Sequence, residues 1–188
     1  DLIGMGRALV ADAALPAKAL AGRAATIRPC IFCNVCWAEI HVGKPIACIH
    51  NPHLGTPGEA AWRPAPANRK RRVVVVGSGV AGLEAAWVAA SRGHDVTVLG
   101  SREPGGKARL ESLLPGRAEV AKVFEFQLAR AREAGVAFES GPPATAGQVA
   151  AYRPHAVVPT NGSRLSRPAP LAAHSEAGTD AWKVAPGT

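Results

Sequence analysis

No apolar stretch in the 188 residues approaches the length of a transmembrane helix, and the longest candidate, starting at Val73-Val74-Val75-Val76, is broken at once by glycine. The N-terminal residues show no basic segment leading into an apolar one, so no secretory leader is read there and a cytoplasmic location is expected. Aromatic residues make up only 5% of the chain, and none interleaves with its one dense basic run, Arg69-Lys70-Arg71-Arg72. The net charge of +8 thus comes without the stacking platform that single-stranded nucleic acid requires, and nucleic-acid binding is not expected. The basic run stands just before a buried-strand pattern, where solvated charge commonly leads a chain into a sheet. Basic loops also suit phosphate-bearing cofactors or an acidic electron-transfer partner. There is no internal repeat.

Cysteine is equally scarce but concentrated. The only four are Cys30, Cys33, Cys36 and Cys48, spaced C-x2-C-x2-C-x11-C. Three thiolates in two short turns with a fourth from a neighbouring loop suit a cubane [4Fe–4S] cluster, each iron of which needs one thiolate. Structural zinc usually sits between two separated pairs of ligands, a pattern absent here. A mixed site of Cys33, Cys36, His50 and His53 has a histidine gap one residue short of the usual spacing and leaves Cys30 and Cys48 over. A zinc-stabilised, non-catalytic module remains the alternative. A disulfide framework needs an oxidising compartment that nothing in the chain indicates. His41, His50 and His53 read as polar loop residues, or at most as donors to cluster sulfur, since no nucleophile accompanies them.

Four stretches differ in character. Residues 1–26 open on a strand-like Leu2-Ile3-Gly4-Met5 and continue into an alanine-rich helix over Leu15–Arg23. Residues 27–68 hold the cysteines and a Pro/Gly/His-rich loop that ends in the linker Pro64–Asn68. Residues 69–163 alternate strand and helix signals, and residues 164–188 lose all periodicity. In the third stretch, the β-branched run Val73–Val76 predicts a parallel strand buried on both faces. It runs into Gly77-Ser78-Gly79-Val80-Ala81-Gly82, then into a helix to about Arg92, and Asp95–Leu99 supplies a second strand. In such a βαβ unit Gly77 permits the tight turn, Gly79 admits a pyrophosphate to the backbone, and Gly82 lets helix close on strand. The helix N-terminus offers unpaired N–H groups. The acidic residue that usually ends the second strand and binds ribose is replaced by Gly100. Glu103 is the candidate substitute from the loop, and Arg102 reads as a solvated loop arginine. Gly116–Ala134 predicts an amphipathic helix with Val120, Val123, Phe124, Leu128 and Ala131 on one face. Short strands are expected at Val136–Phe138 and His155–Val158.

With these residues in place, the chain resembles the iron–sulfur flavoenzymes related to trimethylamine dehydrogenase and 2,4-dienoyl-CoA reductase. The resemblance covers about residues 1–163. It implies an α/β fold, with the last strand and helix of a TIM barrel at 1–26, the cluster segment at 27–68 and an incomplete Rossmann-like FAD- or ADP-binding domain at 69–163. By the same resemblance Gly6 and Arg7 correspond to FMN-phosphate contacts, and Cys30, Cys33, Cys36 and Cys48 to the cluster ligands. Val73–Ala86 corresponds to the flavin or ADP fingerprint and Gly105-Gly106 to the double glycine after the second strand. The spacing Cys33-Asn34-Val35-Cys36 leans toward the amine-dehydrogenase branch. The implied function is electron relay between FMN, a [4Fe–4S] cluster and an FAD- or NAD(P)-binding domain. The implied partner is a barrel domain, of the same enzyme or of a separate chain, with an electron-transfer protein as a further partner. The chain departs from the pattern at Gly100 and at Pro159, where proline inside a central strand is expected to end or distort the sheet. It also starts inside the barrel's last strand, without the barrel's catalytic residues. It therefore reads as a fragment that does not turn over substrate alone, or as a degenerate remnant.

Overall fold

The computed structural model describes residues 2–163, so the irregular stretch expected at 164–188 lies outside the described residues. Its centre is a four-stranded, wholly parallel sheet in the order β3-β2-β1-β4: β1 (Arg72–Val76), β2 (Asp95–Gly100), β3 (Ala137–Ser140) and β4 (Ala156–Pro159). Val73, Val74 and Val75 are all buried, because β1 has a strand on each side and cover on both faces.

Two long helices cover one face. In α4 (Val80–Ser91), Leu83, Ala86 and Trp87 turn inward, and the alanines bring the helix close to the strands. In α6 (Ala121–Glu133), the buried face is Val123, Phe124, Gln127 and Ala131. A single core joins Val73, Val75, Val96 and Val98 to Ala86, Trp87, Ala131 and Val136. Gly93 (φ 93°) closes α4 and Gly135 (φ 78°) closes α6, both left-handed as a helix stop requires. Three shorter helices lie in the N-terminal and cysteine segments: α1 (Arg7–Ala11), α2 (Leu15–Leu20) and α3 (Val35–His41). Two more, α5 (Gly106–Glu111) and α7 (Ala146–Ala151), follow β2 and β3. Among the described residues no helix is long and apolar enough to cross a membrane.

Several expectations change. Leu2–Met5 forms no strand and leaves Leu2 and Ile3 exposed; a strand needs a neighbour, and none of the four described strands lies beside it. The helix expected over Leu15–Arg23 stops at Leu20. The helix expected from Gly116 begins at Ala121 after a 3-10 turn over Ala118–Val120, and Gln127 rather than Leu128 is its buried member. Pro159 does not cut the sheet short or distort it, since it pairs in register with Val76, the last residue of β1. It is the last residue of β4, an edge strand among the described residues, and the next N–H, that of Thr160, donates to the Val76 carbonyl at 2.8 Å. An edge strand tolerates proline because one side of its ladder needs no donor.

Candidate functional site

The cysteine loop is shaped by two non-glycine residues in the left-handed region, Phe32 (φ 55°) and Asn34 (φ 59°). By turning the chain between successive cysteines they set Cys30, Cys33 and Cys36 around one small cavity, which Cys48 also lines. All four are free thiols. Backbone N–H groups point at the sulfurs: Phe32 donates to Cys30 Sγ at 3.4 Å, and His50 and Asn51 donate to Cys48. Burial nevertheless pushes the Cys48 thiol up, against those two donors and with Cys33 and Cys30 adding to the rise. Four soft donors with N–H groups aimed at sulfur are the chemistry that an iron–sulfur cluster's ligands present.

Gly6 caps the start of α1, and Arg7 is exposed at the cysteine cavity, which it helps to line. Its Nη1 donates to Asn34 Oδ1, and its guanidinium lies 5.3 Å from the centre of the Phe32 ring. The residue expected at FMN phosphate is thus built into the cysteine loop, a juxtaposition the sequence did not reveal. His50 is buried, and burial pushes its pKa down, so the ring is neutral. Its Nδ1–H donates to the Pro29 carbonyl at 2.9 Å, which leaves Nε2 without a hydrogen. His50 therefore reaches sulfur through its backbone N–H and not through its ring. His53 stacks on Trp62 at 3.6 Å, and His41 packs edge-on to Trp37. Among the described residues no three His, Cys, Asp or Glu side chains are placed to share one metal ion.

A buried arginine ties this loop to the nucleotide-type unit. Arg28, two residues before Cys30, donates through Nη1 to the His50 carbonyl and through Nη2 to Glu84 Oε1 on α4 at 3.0 Å. Gln127 Nε2 on α6 donates to the other Glu84 oxygen at 2.8 Å, which explains the burial of Gln127. Burial alone would raise the Glu84 pKa, yet the guanidinium and these hydrogen bonds hold the carboxyl below its ordinary value. On the N-terminal side, Asp12 accepts from the backbone N–H of Ala14 and Arg28 and from the Lys18 ammonium.

At the glycine motif, Gly77 (φ 114°) makes the turn out of β1, and Gly79 is extended at the N-cap of α4. A Cβ on Gly82 would lie 2.0 Å from the Gly77 carbonyl oxygen and 2.7 Å from Thr160 Oγ1, so only glycine fits. A Cβ on Gly79 would meet nothing closer than 4.0 Å, which leaves this N-terminus open to a ligand. Thr160 escaped sequence reasoning. It follows β4, and its hydroxyl reaches the carbonyls of Val76 and Gly77 at 3.0 Å each, bracing the turn from the neighbouring strand. The double glycine docks on the motif: Gly105 N–H donates to the Ser78 carbonyl at 2.8 Å, and Gly105 bridges to Gly79. Phe124 closes on Gly105, where a Cβ would meet its ring at 2.9 Å. Glu103 is 80% exposed and lies 3.7 Å from Arg109, so it faces solvent beside a cation. Arg102 is exposed, and its carbonyl accepts from Ser78 Oγ at 3.2 Å.

Residues 60–158 match the family model for the pyridine nucleotide-disulphide oxidoreductases. The chain belongs to that family. Over all 188 residues it is 35% identical to a probable N-methylproline demethylase of Rhizobium meliloti (strain 1021), of which it spans 28%. Histamine dehydrogenase from Rhizobium sp. 4-9 superimposes with a TM-score of 0.82 at 31% identity over 88% of this chain. A 2-naphthoyl-CoA reductase superimposes with a TM-score of 0.80 at 33% identity, also over 88%. The chain covers 25% of each of these two structures, so it corresponds to a part of much longer flavoenzyme-type oxidoreductases. The expected α/β fold and the family resemblance are both borne out, and among these relatives are both amine-directed and CoA-ester-directed enzymes.

Proposed function

We propose that these residues are the cluster- and nucleotide-bearing part of an iron–sulfur flavoenzyme oxidoreductase, on the amine-dehydrogenase side of its relatives. Cys30, Cys33, Cys36 and Cys48 hold a [4Fe–4S] cluster, while Gly77, Gly79 and Gly82 cradle the pyrophosphate of FAD or ADP with Gly105 and Gly106 alongside. The observation that carries the reading is the single cavity shared by all four cysteines and Arg7, clamped onto the fingerprint helix through Arg28 and Glu84. When bound, the cluster supplies a one-electron relay between an FMN in a barrel domain and the nucleotide-bound flavin or NAD(P)H.

The chain's own residues position and insulate. The N–H groups of Phe32, His50 and Asn51 aim at sulfur, where they favour the thiolate state. Arg7 puts a permanent cation at the rim, beside Gly6 and next to where the FMN phosphate of a barrel domain would approach. The α4 N-terminus presents free N–H groups and the positive dipole end to a pyrophosphate. Four reduced thiols suit the cytoplasm. The test is anaerobic reconstitution with iron and sulfide, followed by metal and sulfide analysis and EPR. About four irons and four sulfides per chain with a low-temperature signal on reduction are expected. Stoichiometric zinc with no cluster would sink the electron-transfer reading.

A further inference from the structure

Arg28 is held at its backbone and at its guanidinium. Its N–H donates to Asp12 Oδ2 at 2.8 Å, and the guanidinium carbon lies 4.7 Å from the centre of the Phe126 ring and 5.9 Å from that of Trp87. Nη2 donates to Glu84 Oε1 on α4 at 3.0 Å, and Nη1 donates to the His50 carbonyl. The peptide unit that carries this carbonyl also carries the Asn51 N–H, which donates to Cys48. The peptide is trans, so its oxygen and its hydrogen point in opposite directions, with Arg28 at one end and Cys48 at the other. A chain of hydrogen bonds thus runs from the guanidinium through one peptide plane to sulfur, and each bond in such a chain polarises the next.

We propose that Arg28 is a positioning residue for the cysteine site: acting through the His50–Asn51 peptide, it stabilises negative charge at Cys48 and raises the reduction potential of the cluster held there, while Glu84 moderates that effect. The proposal rests on the cluster reading above and deepens it. Hydrogen bonds to sulfur and net charge are among the quantities that set such potentials. Reduction adds one electron and breaks no bond, and the thiolate sulfurs share the added negative charge. Arg7 also stands at the cysteine cavity, but it is exposed, so water and salt screen its charge. Arg28 is only 7% exposed, and its charge acts in an interior that screens poorly. The Glu84 carboxylate balances the guanidinium from the α4 side, and Gln127 holds the other Glu84 oxygen at 2.8 Å, so the pair has a fixed orientation with its positive end toward the His50 carbonyl.

The test is anaerobic reconstitution of the full chain, of Arg28→Met and of Glu84→Gln with iron and sulfide, then redox potentiometry at neutral pH with dithionite as reductant, read by EPR. Expected are a lower midpoint potential in Arg28→Met and a higher one in Glu84→Gln. Each shift should be about tenfold in the ratio of reduced to oxidised cluster, or about 59 mV for one electron. Opposite signs are the signature of charge, because a loosened fold would admit water in both variants and move both potentials the same way. Shifts of the same sign, or an unchanged midpoint in either variant, overturn the assignment. Where Arg28→Met assembles no cluster, Glu84→Gln decides alone: a rise supports the proposal, and a fall or an unchanged midpoint overturns it. Failure of the unaltered chain to assemble a cluster overturns the cluster reading itself.

Discussion

Gly79 and Gly82 stand three residues apart in one motif and carry opposite constraints. Gly82→Ala drives a Cβ against a backbone oxygen that cannot swing away, and a loss of about 3 kcal/mol is expected in denaturant unfolding. Gly79→Ala meets only the Gly106 Cα, at an ordinary 4.0 Å, and keeps a φ of −77°, so its cost should stay below about 1 kcal/mol, the difference between two N-cap residues. The roles of these glycines were legible because turn, approach and packing are backbone demands that spacing records. Thr160 was not. Its hydroxyl reaches Gly77 from 83 residues away, and only the pairing of β4 with β1 puts the two together. The burial of Gln127 was not legible for a related reason: it answers Glu84, 43 residues distant, and not the apolar rhythm of its own helix.

Among the elements, the join between the cysteine segment and α4 depends on a charge pair that composition could not reveal, since Arg28 and Glu84 lie 56 residues apart. Arg28→Met strands a part-buried carboxylate and loses the bond to the His50 carbonyl, with an expected cost of about 2–4 kcal/mol. The acid dependence follows from the same pair. The folded-state pKa of Glu84 is below the ordinary 4.5, so the pair's contribution is whole above that value and drains away as pH falls through the folded value. Unfolding free energy measured from neutral pH downward should lose this slope in Glu84→Gln. At α7, Thr145→Ala removes the capping box and should cost about 1 kcal/mol. Strand and helix periods made the βαβ unit readable to within a residue or two. Leu2–Met5 could not be read that way, because an apolar tetrapeptide becomes a strand only when a partner strand is at hand.

In the molecule as a whole, the apolar interior is distributed unevenly. Within residues 27–68 the only buried hydrophobic side chain is Ile31, whereas the sheet and its helices contain most of the remaining core. If the four cysteines hold the proposed cluster, such a segment would draw cohesion from it, since metal-binding energy then becomes folding energy. Limited proteolysis of the metal-free chain should cut within 27–68 and spare 69–163. After reconstitution the same sites should resist, and equal cutting in both states would contradict this. The parallel sheet has a kinetic consequence as well. No hairpin joins any two of its strands, and β1 must wait for β4, whose first pair is Val73 with Ala156, to cover its second edge. As the chain is synthesised, the cysteines emerge well before the residues that brace the Gly77 turn. The Gly77 turn is therefore among the last parts of this unit to be braced, because a growing chain halted short of Thr160 lacks the hydroxyl that reaches the Val76 and Gly77 carbonyls.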